Sequence, residues 1–214
     1  MLDISELSQS FKENQLFQNL SFKVNRGEKI AVLGINGIGK STLLKTILGL
    51  LTPINGSVKW GYNTKYSYFS QDHHDLIKGN VSAIDWLMDA TNESNVSTIR
   101  GALGRMLLTQ DQADKPVNVL SGGEAARLLF AKITLEQANV LVLDEPTNHL
   151  DLESRIALAN SLKSFEGTII FVSHDRHFIS TIADRVIFMN KGRTIDFPGT
   201  YNEFRKKYSK FFEA

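Results

Sequence analysis

The stretch Gly34-Ile35-Asn36-Gly37-Ile38-Gly39-Lys40-Ser41 decides the fold. It fills every fixed position of the pattern G-x-x-x-x-G-K-[ST]. Before it runs Lys29-Ile-Ala-Val-Leu33, a short and nearly continuous apolar segment, the pattern of a strand buried on both faces. After it, an apolar-periodic segment from Lys40 to about Leu48, closed near Gly49, reads as a helix. A buried strand, a glycine-rich turn and a helix start in that order form a cradle for phosphates. The glycines let backbone N–H groups turn inward, and the helix N-terminus adds a partial positive charge. Gly34, Asn36, Gly37, Ile38, Gly39, Lys40, Ser41 and Thr42 are therefore expected to surround a nucleotide's phosphates. Lys40 is expected to reach the β- and γ-phosphates, and Ser41 to offer its hydroxyl to Mg²⁺.

Upstream, weakly alternating residues (Leu2, Ile4, then Leu16 to Phe22) read as an antiparallel strand pair, and Asn25 to Glu28 as a turn. Downstream, Ser57–Trp60 and Tyr66–Phe69 read as strands. Beyond Gln71 the pattern becomes helical and polar, with helices expected over Ala83–Ala90 and Val96–Leu108 and a close at Pro116. The expected organisation is one α/β domain, with a core over 1–71 and 115–214 and a helical subdomain inserted over 72–114. Gly122–Leu135 reads as a helix. Val140–Leu143 and Thr168–Val172 read as buried strands joined by a helix from about Leu152 to Leu162, which implies a parallel sheet with a right-handed crossover. Arg185–Met189 and Arg193–Phe197 read as two edge strands, and the chain from Tyr201 to its end as a basic helix.

Two further segments carry chemistry. Val140-Leu-Val-Leu-Asp144-Glu145 ends a buried strand on two carboxylates, and ligands of open α/β sheets bind at the carboxyl ends of strands. Asp144 is positioned to act on Mg²⁺, directly or through water, and Glu145 to accept the proton of an attacking water. Leu120-Ser-Gly-Gly-Glu124 fits the capping box S-x-x-E. Capping does not explain two glycines in the first helical turn, which cost helix propensity. Bare N–H groups there make an anion site. Since the loop at Lys40 already takes one ATP, Ser121, Gly122 and Gly123 are expected to face a second ATP held by a partner domain.

In order, the chain presents the phosphate loop, Gln71, Leu-Ser-Gly-Gly-Glu, the Asp144-Glu145 strand and Ser173-His174-Asp175. Over essentially its whole length it resembles a nucleotide-binding domain of the ATP-binding-cassette (ABC) family. The resemblance implies a P-loop NTPase fold: a mixed-sheet core, an antiparallel β subdomain and the inserted helical subdomain. It implies ATP and Mg²⁺ as ligands. It makes Gln71 a lid-loop glutamine on Mg²⁺, His174 a switch histidine at the γ-phosphate, and Phe11 the aromatic that stacks on adenine, where the family more often has Tyr. Alone, His174 reads as a turn residue before a helix capped by Asp175, and Phe11 as a core residue.

The run Glu145-Pro-Thr-Asn-His149-Leu-Asp151, the signature ending in Glu124 and Ser173-His-Asp-Arg-His-Phe178 resemble the ABC-F subfamily, whose members lack transmembrane domains. Gly104-Arg-Met-Leu-Leu108 and Ser57-Val-Lys-Trp60 are similar to its YbiT-type branch. In that family Asn148–Asp151 is a loop at the dimer interface, while on its own Asp151 reads as a helix cap. Subfamily members usually carry two cassettes and a long charged linker that reaches toward tRNA. The absence of an arm insertion makes this chain similar to the second cassette, so a fragment or a truncated gene is expected. The expected partner is a second cassette, in cis or as a homodimer, with the ribosome or tRNA possible for the full-length protein.

The composition bounds the alternatives. The 214 residues hold 24 Lys+Arg against 23 Asp+Glu, a net charge of +1, too even for bulk electrostatic binding of nucleic acid or membrane. There is no Cys, which excludes disulfides and fits the expected cytoplasmic location. Asp3, Glu6, Lys12 and Glu13 interrupt any apolar leader, and no run is long enough to span a bilayer. A transporter's ATP-binding subunit shares every catalytic residue and remains the alternative. A slow ATP-switched binding or antibiotic-resistance module is a third reading. The absence of a long coiled coil disfavours the chromosome-maintenance cassettes.

Overall fold

Strand β1 (Leu2–Phe11) pairs antiparallel with β2 (Asn14–Val24) and with β4 (Asn55–Trp60), forming a three-stranded sheet in the order β2-β1-β4. A second, six-stranded sheet has the order β5 (Tyr66–Phe69), β6 (Val140–Asp144), β7 (Thr168–Val172), β3 (Lys29–Gly34), β8 (Arg185–Asn190), β9 (Arg193–Phe197). Its strands run parallel except β9, which returns antiparallel along β8. These relations come from a computed structural model that describes residues 1–11, 14–70, 77, 79–190 and 193–211. The helices are α1 (Lys40–Ile47), α2 (Ala83–Thr91), α3 (Val96–Arg105), α4 (Gln110–Asp114), α5 (Gly122–Leu135), α6 (Leu152–Ser164), α7 (Arg176–Ile182) and α8 (Tyr201–Lys207).

The central strands β6, β7, β3 and β8 are buried on both faces, and the two-residue strand period divides their side chains between two cores. Ile30, Val32, Val140, Val142, Ile170, Val172, Ile187 and Met189 join α1 and the three-stranded sheet. Ala31, Leu33, Leu141, Leu143, Ile169, Phe171, Val186 and Phe188 join the helices on the opposite face. Each fully buried Val, Leu, Ile, Phe or Met side chain contributes about 1.5–3 kcal/mol. The parallel strands deliver their carboxyl ends to the same edge of the sheet, where β3 and β6 end on Gly34 and Asp144. Between β5 and the short 3-10 turn Val117–Val119 the described residues form helices α2, α3 and α4 and no named strand.

Three sequence expectations are corrected. Arg185–Met189 is not an edge strand: β8 lies between β3 and β9, with Val186–Met189 buried, and only β9 stands at the edge. Its apolar run is the same signal as that of β3, and its polar ends (Arg185 and Asn190) mask it. The helix expected over Val96–Leu108 stops at Arg105. Leu107 takes a left-handed φ of 58°, and Leu108 N–H closes the turn on Leu103 O at 3.1 Å. Glycine usually fills that position, so the sequence carries no stop signal. The last helix ends at Lys207. Tyr208, at φ −122°, breaks it and packs its ring on Phe204 and Phe197, leading into a 3-10 turn at Ser209–Phe211.

Candidate functional site

The turn from β3 into α1 is shaped by close approach as much as by flexibility. A Cβ on Gly34 would sit 2.5 Å from Met189 O on neighbouring β8, and Gly34 holds φ +153°. Gly39 holds φ +103°, and a Cβ there would press on Leu16 at 2.9 Å. Only glycine allows the chain to leave the sheet and enter the helix here. Gly39 is the N-cap of α1 with no side-chain cap, and the first turn has no acidic residue. The helix start therefore keeps its N–H groups and positive end for a ligand.

The loop walls a cleft of about 450 Å³ lined by Leu16, Asn36, Gly37, Gly39, Lys40, Ser41, Thr42, Glu145, Asn148, Val172 and His174. Lys40 Nζ donates to Gly34 O at 2.9 Å and Ile35 O at 3.2 Å, curling back over the loop. Burial pushes its pKa down, against the pull of Glu145 and Asp144. Ser41 Oγ donates to Asp144 Oδ1 at 3.0 Å, joining the start of α1 to the end of β6. Asp144 is 1% exposed. A hydroxyl and a carboxylate converging beside a phosphate cradle are hard oxygen donors, and they fit Mg²⁺.

Glu145 follows directly and is 6% exposed. It holds a left-handed φ of 51°, a conformation that costs a non-glycine residue about 1–2 kcal/mol. Its N–H donates to Val172 O at 2.9 Å, and its carbonyl accepts from Asn148 N–H at 3.2 Å. These bonds turn the side chain to the cleft. Oε2 accepts from His174 N–H at 3.2 Å, and His174 Nε2 lies 3.2 Å from Oε1. Burial pushes the Glu145 pKa up, with His174 and Lys40 pulling it back and Asp144 adding to the rise. A carboxyl held above its ordinary range is suited to take up a proton.

The other expected site residues fall in distinct places. Ile38 is buried beneath the loop, and Gly34 forms the floor on which Lys40 rests. Phe11 ends β1, is 68% exposed and stands outside the cleft's lining. Gln71 lies outside the described residues. Ser121, Gly122 and Gly123 are not at this cleft. Ser121 caps α5 in a full capping box, with Ser121 N–H donating to Glu124 Oε2 at 2.7 Å and Glu124 N–H to Ser121 Oγ at 3.3 Å. The N–H groups outside that exchange are those of Gly122 and Gly123. Asp151 and Asp175 cap α6 and α7 as expected. Leu16, Asn148 and Val172 line the cleft although no phosphate-binding role was read for them. Leu16 and Val172 carry no local signal, because only the packing of β2 and β7 brings them to the loop.

A phosphate loop between a buried strand and a helix, facing an acidic pair on the adjoining parallel strand system, defines a P-loop NTPase domain. The chain belongs to the ATP-binding-cassette family: residues 17–148 match the family described as ABC transporter. It is 44% identical over 204 residues to "Probable ATP-binding protein YbiT" of Escherichia coli O157:H7, covering 95% of this chain and 38% of that protein. It is 40% identical over 208 residues to "ABC transporter F family member 5" of Arabidopsis thaliana, covering 97% of this chain and 30% of the relative. To "ATP-binding cassette sub-family F member 3" of Rattus norvegicus it is 37% identical over 190 residues, 89% of this chain and 27% of the relative. These relatives bear out the resemblance to the F subfamily and to YbiT. The chain spans only between 27% and 38% of their lengths.

Proposed function

We propose that this cassette hydrolyses ATP with Mg²⁺, and that a second cassette completes each site. The observation that carries the reading is the contact of Ser41 Oγ with Asp144 Oδ1 at 3.0 Å, directly beside a buried Glu145 whose pKa is raised. In this reading the N–H groups of the loop and Lys40 hold the phosphates, while Ser41, Asp144 and Gln71 hold the metal. A Mg²⁺ held there would supply positive charge to offset that of the phosphates. Glu145 takes the proton of the attacking water, the new oxygen–phosphorus bond forms, and the bond to the bridging oxygen breaks, releasing ADP and phosphate. His174 steadies the Glu145 carboxylate and meets the γ-phosphate. Phe11 offers an exposed ring face to the base, worth about 1–3 kcal/mol. Helices α2, α3 and α4 belong to the inserted helical subdomain, which carries the turn at Ser121–Gly123 toward the partner's ATP.

The need for a partner is supported by the position of Ser121, Gly122 and Gly123 outside the chain's own cleft. Phosphate release measured against chain concentration tests it: turnover should rise more steeply than linearly as pairs form. A strictly linear rise, unaffected by Gly123→Asp, sinks the two-cassette reading.

For the whole protein we infer a cytoplasmic ABC-F role coupled to the ribosome, with this chain as the second cassette; the likeness to F-subfamily relatives supports it. The second reading, an ATP-binding subunit of a membrane transporter, draws on the match to the ABC transporter family. Among the described residues no helix is long and apolar enough to cross a membrane, so in that reading the spanning part lies outside them. Copurification separates the two: ribosomal fractions favour the first, membrane fractions with a permease the second.

A further inference from the structure

Arg127 stands outside the cleft's lining. Arg127 lies on α5 one helical turn beyond Gly123, and residues at this spacing share a helix face. That face meets the loop that follows Glu145. A Cβ on Gly123 would come 3.2 Å from His149 O, and His149 holds a left-handed φ of 64°. Arg127 Nη1 donates to Ser154 Oγ at 3.1 Å in the first turn of α6, while its Nε is buried with no hydrogen-bond partner among the described residues. The charge registers on the same turn: Asp151 has a lowered pKa, through its bonds to Ser154 first and then through Arg127 and Arg155. From there the path returns to the cleft. Arg155 Nε donates to Leu150 O at 2.9 Å, and its Nη1 lies 3.6 Å from Asp175 Oδ2, next in sequence to His174. Asn148 N–H is bonded to Glu145 O at 3.2 Å.

We propose that Arg127 is a positioning residue that ties the Ser121–Gly123 turn to the Asn148–Asp151 loop, so that occupancy of the chain's own nucleotide cleft is transmitted to the turn it presents to a second cassette. The inference rests on the two-cassette reading above. It gives that reading a route by which the state of one ATP site reaches the other through a single chain. A buried N–H such as that of Arg127 Nε is costly to leave unpaired unless its place is fixed by the geometry around it. Here the helix face is kept bare by Gly123 so that the loop can approach closely enough for Arg127 to span to Ser154.

The test is amide hydrogen exchange on the full chain, kept monomeric and checked by light scattering, with Mg-ATP as the probe in wild type, Arg127→Met, Arg127→Lys and Ser154→Ala. In wild type, nucleotide should slow exchange over 148–154 and also over 121–125. In Arg127→Met and Ser154→Ala, loss of the charge-assisted bond should speed exchange over 121–125 about tenfold without nucleotide. In both variants nucleotide should no longer slow exchange there, while ATP affinity stays within about twofold of wild type. Arg127→Lys should restore part of the effect; if Arg127→Met fails to fold, Ser154→Ala carries the decision. Nucleotide protection of 121–125 persisting in either folded variant overturns the proposal, as does its absence in wild type that binds ATP. If ATP does not bind wild type at all, the nucleotide reading falls, and the nucleotide-free arm still decides whether Arg127 joins the two segments.

Discussion

Replacing Glu145 by Gln keeps the side chain's volume, and an amide oxygen can still accept from His174 N–H at the position now bridged at 3.2 Å. What it cannot do is take up a proton. A positioned general base contributes about 10²–10⁴-fold, so turnover should fall by that factor, equivalent to about 3–5.5 kcal/mol of lost transition-state stabilisation. ATP binding should persist and tighten, because a buried negative charge leaves the neighbourhood of the phosphates. Stability should move in the opposite sense to activity. Burial holds the Glu145 pKa above the ordinary 4.5, so the folded protein binds this proton more tightly than the unfolded chain. The stability linked to it is fully present below the ordinary value and is lost as pH rises through the raised folded value. Near neutral pH the nucleotide-free variant should therefore melt higher than wild type, with the gap narrowing on acidification. Phosphate release, ATP titration and thermal scans across pH read the three effects separately. Turnover within about threefold of wild type would place the base elsewhere; a variant that melts lower than wild type near neutral pH would mean that Glu145 is held by favourable charge contacts rather than by burial.

Other substitutions probe the surrounding architecture. Phe11→Ala should weaken ATP binding about tenfold through loss of stacking, with Phe11→Tyr restoring it; equal affinity for all three in a binding titration removes Phe11 from the site. Gly34→Ala drives a methyl group to 2.5 Å from Met189 O, so urea unfolding should show a loss of at least about 1–3 kcal/mol, and ATP binding should fall with the displaced loop. Arg185 joins Glu28 at 2.7 Å, Asp196 at 2.6 Å and Lys23 O at 2.8 Å, tying β8, β9 and β2 together far from the acidic pair. Arg185→Ala should cost about 2–4 kcal/mol in the same assay while ATP affinity and turnover per folded chain stay unchanged.

Much of this molecule could be read from short stretches because their physics is local. The turn from Gly34 to Lys40 needs specific residues for its backbone path, and Ser121 with Glu124 satisfies a helix start within one turn. The buried runs of β3, β6 and β7 declare themselves because each is apolar on both faces. The same signal in β8 was obscured by Arg185, whose polarity belongs to an ion-pair cluster that spans three strands. The end of α3 was not legible at all, since Leu107 occupies a left-handed position that sequence reasoning reserves for glycine.

From sequence alone, then, came the phosphate loop, the acidic pair, the capped signature helix and their order. Each depends on residue chemistry at a fixed spacing along the chain. Only the tertiary structure decided which of these segments meet. Parallel pairing of β6 with β7, and of β7 with β3, sets Asp144 against Ser41 and Glu145 against His174. Packing of α5 on the start of α6 leaves Ser121–Gly123 outside that cleft and brings Arg127 to Ser154. Contacts between residues far apart in the chain are set by how sheet and helices fill space together, and no local pattern of residue types encodes that.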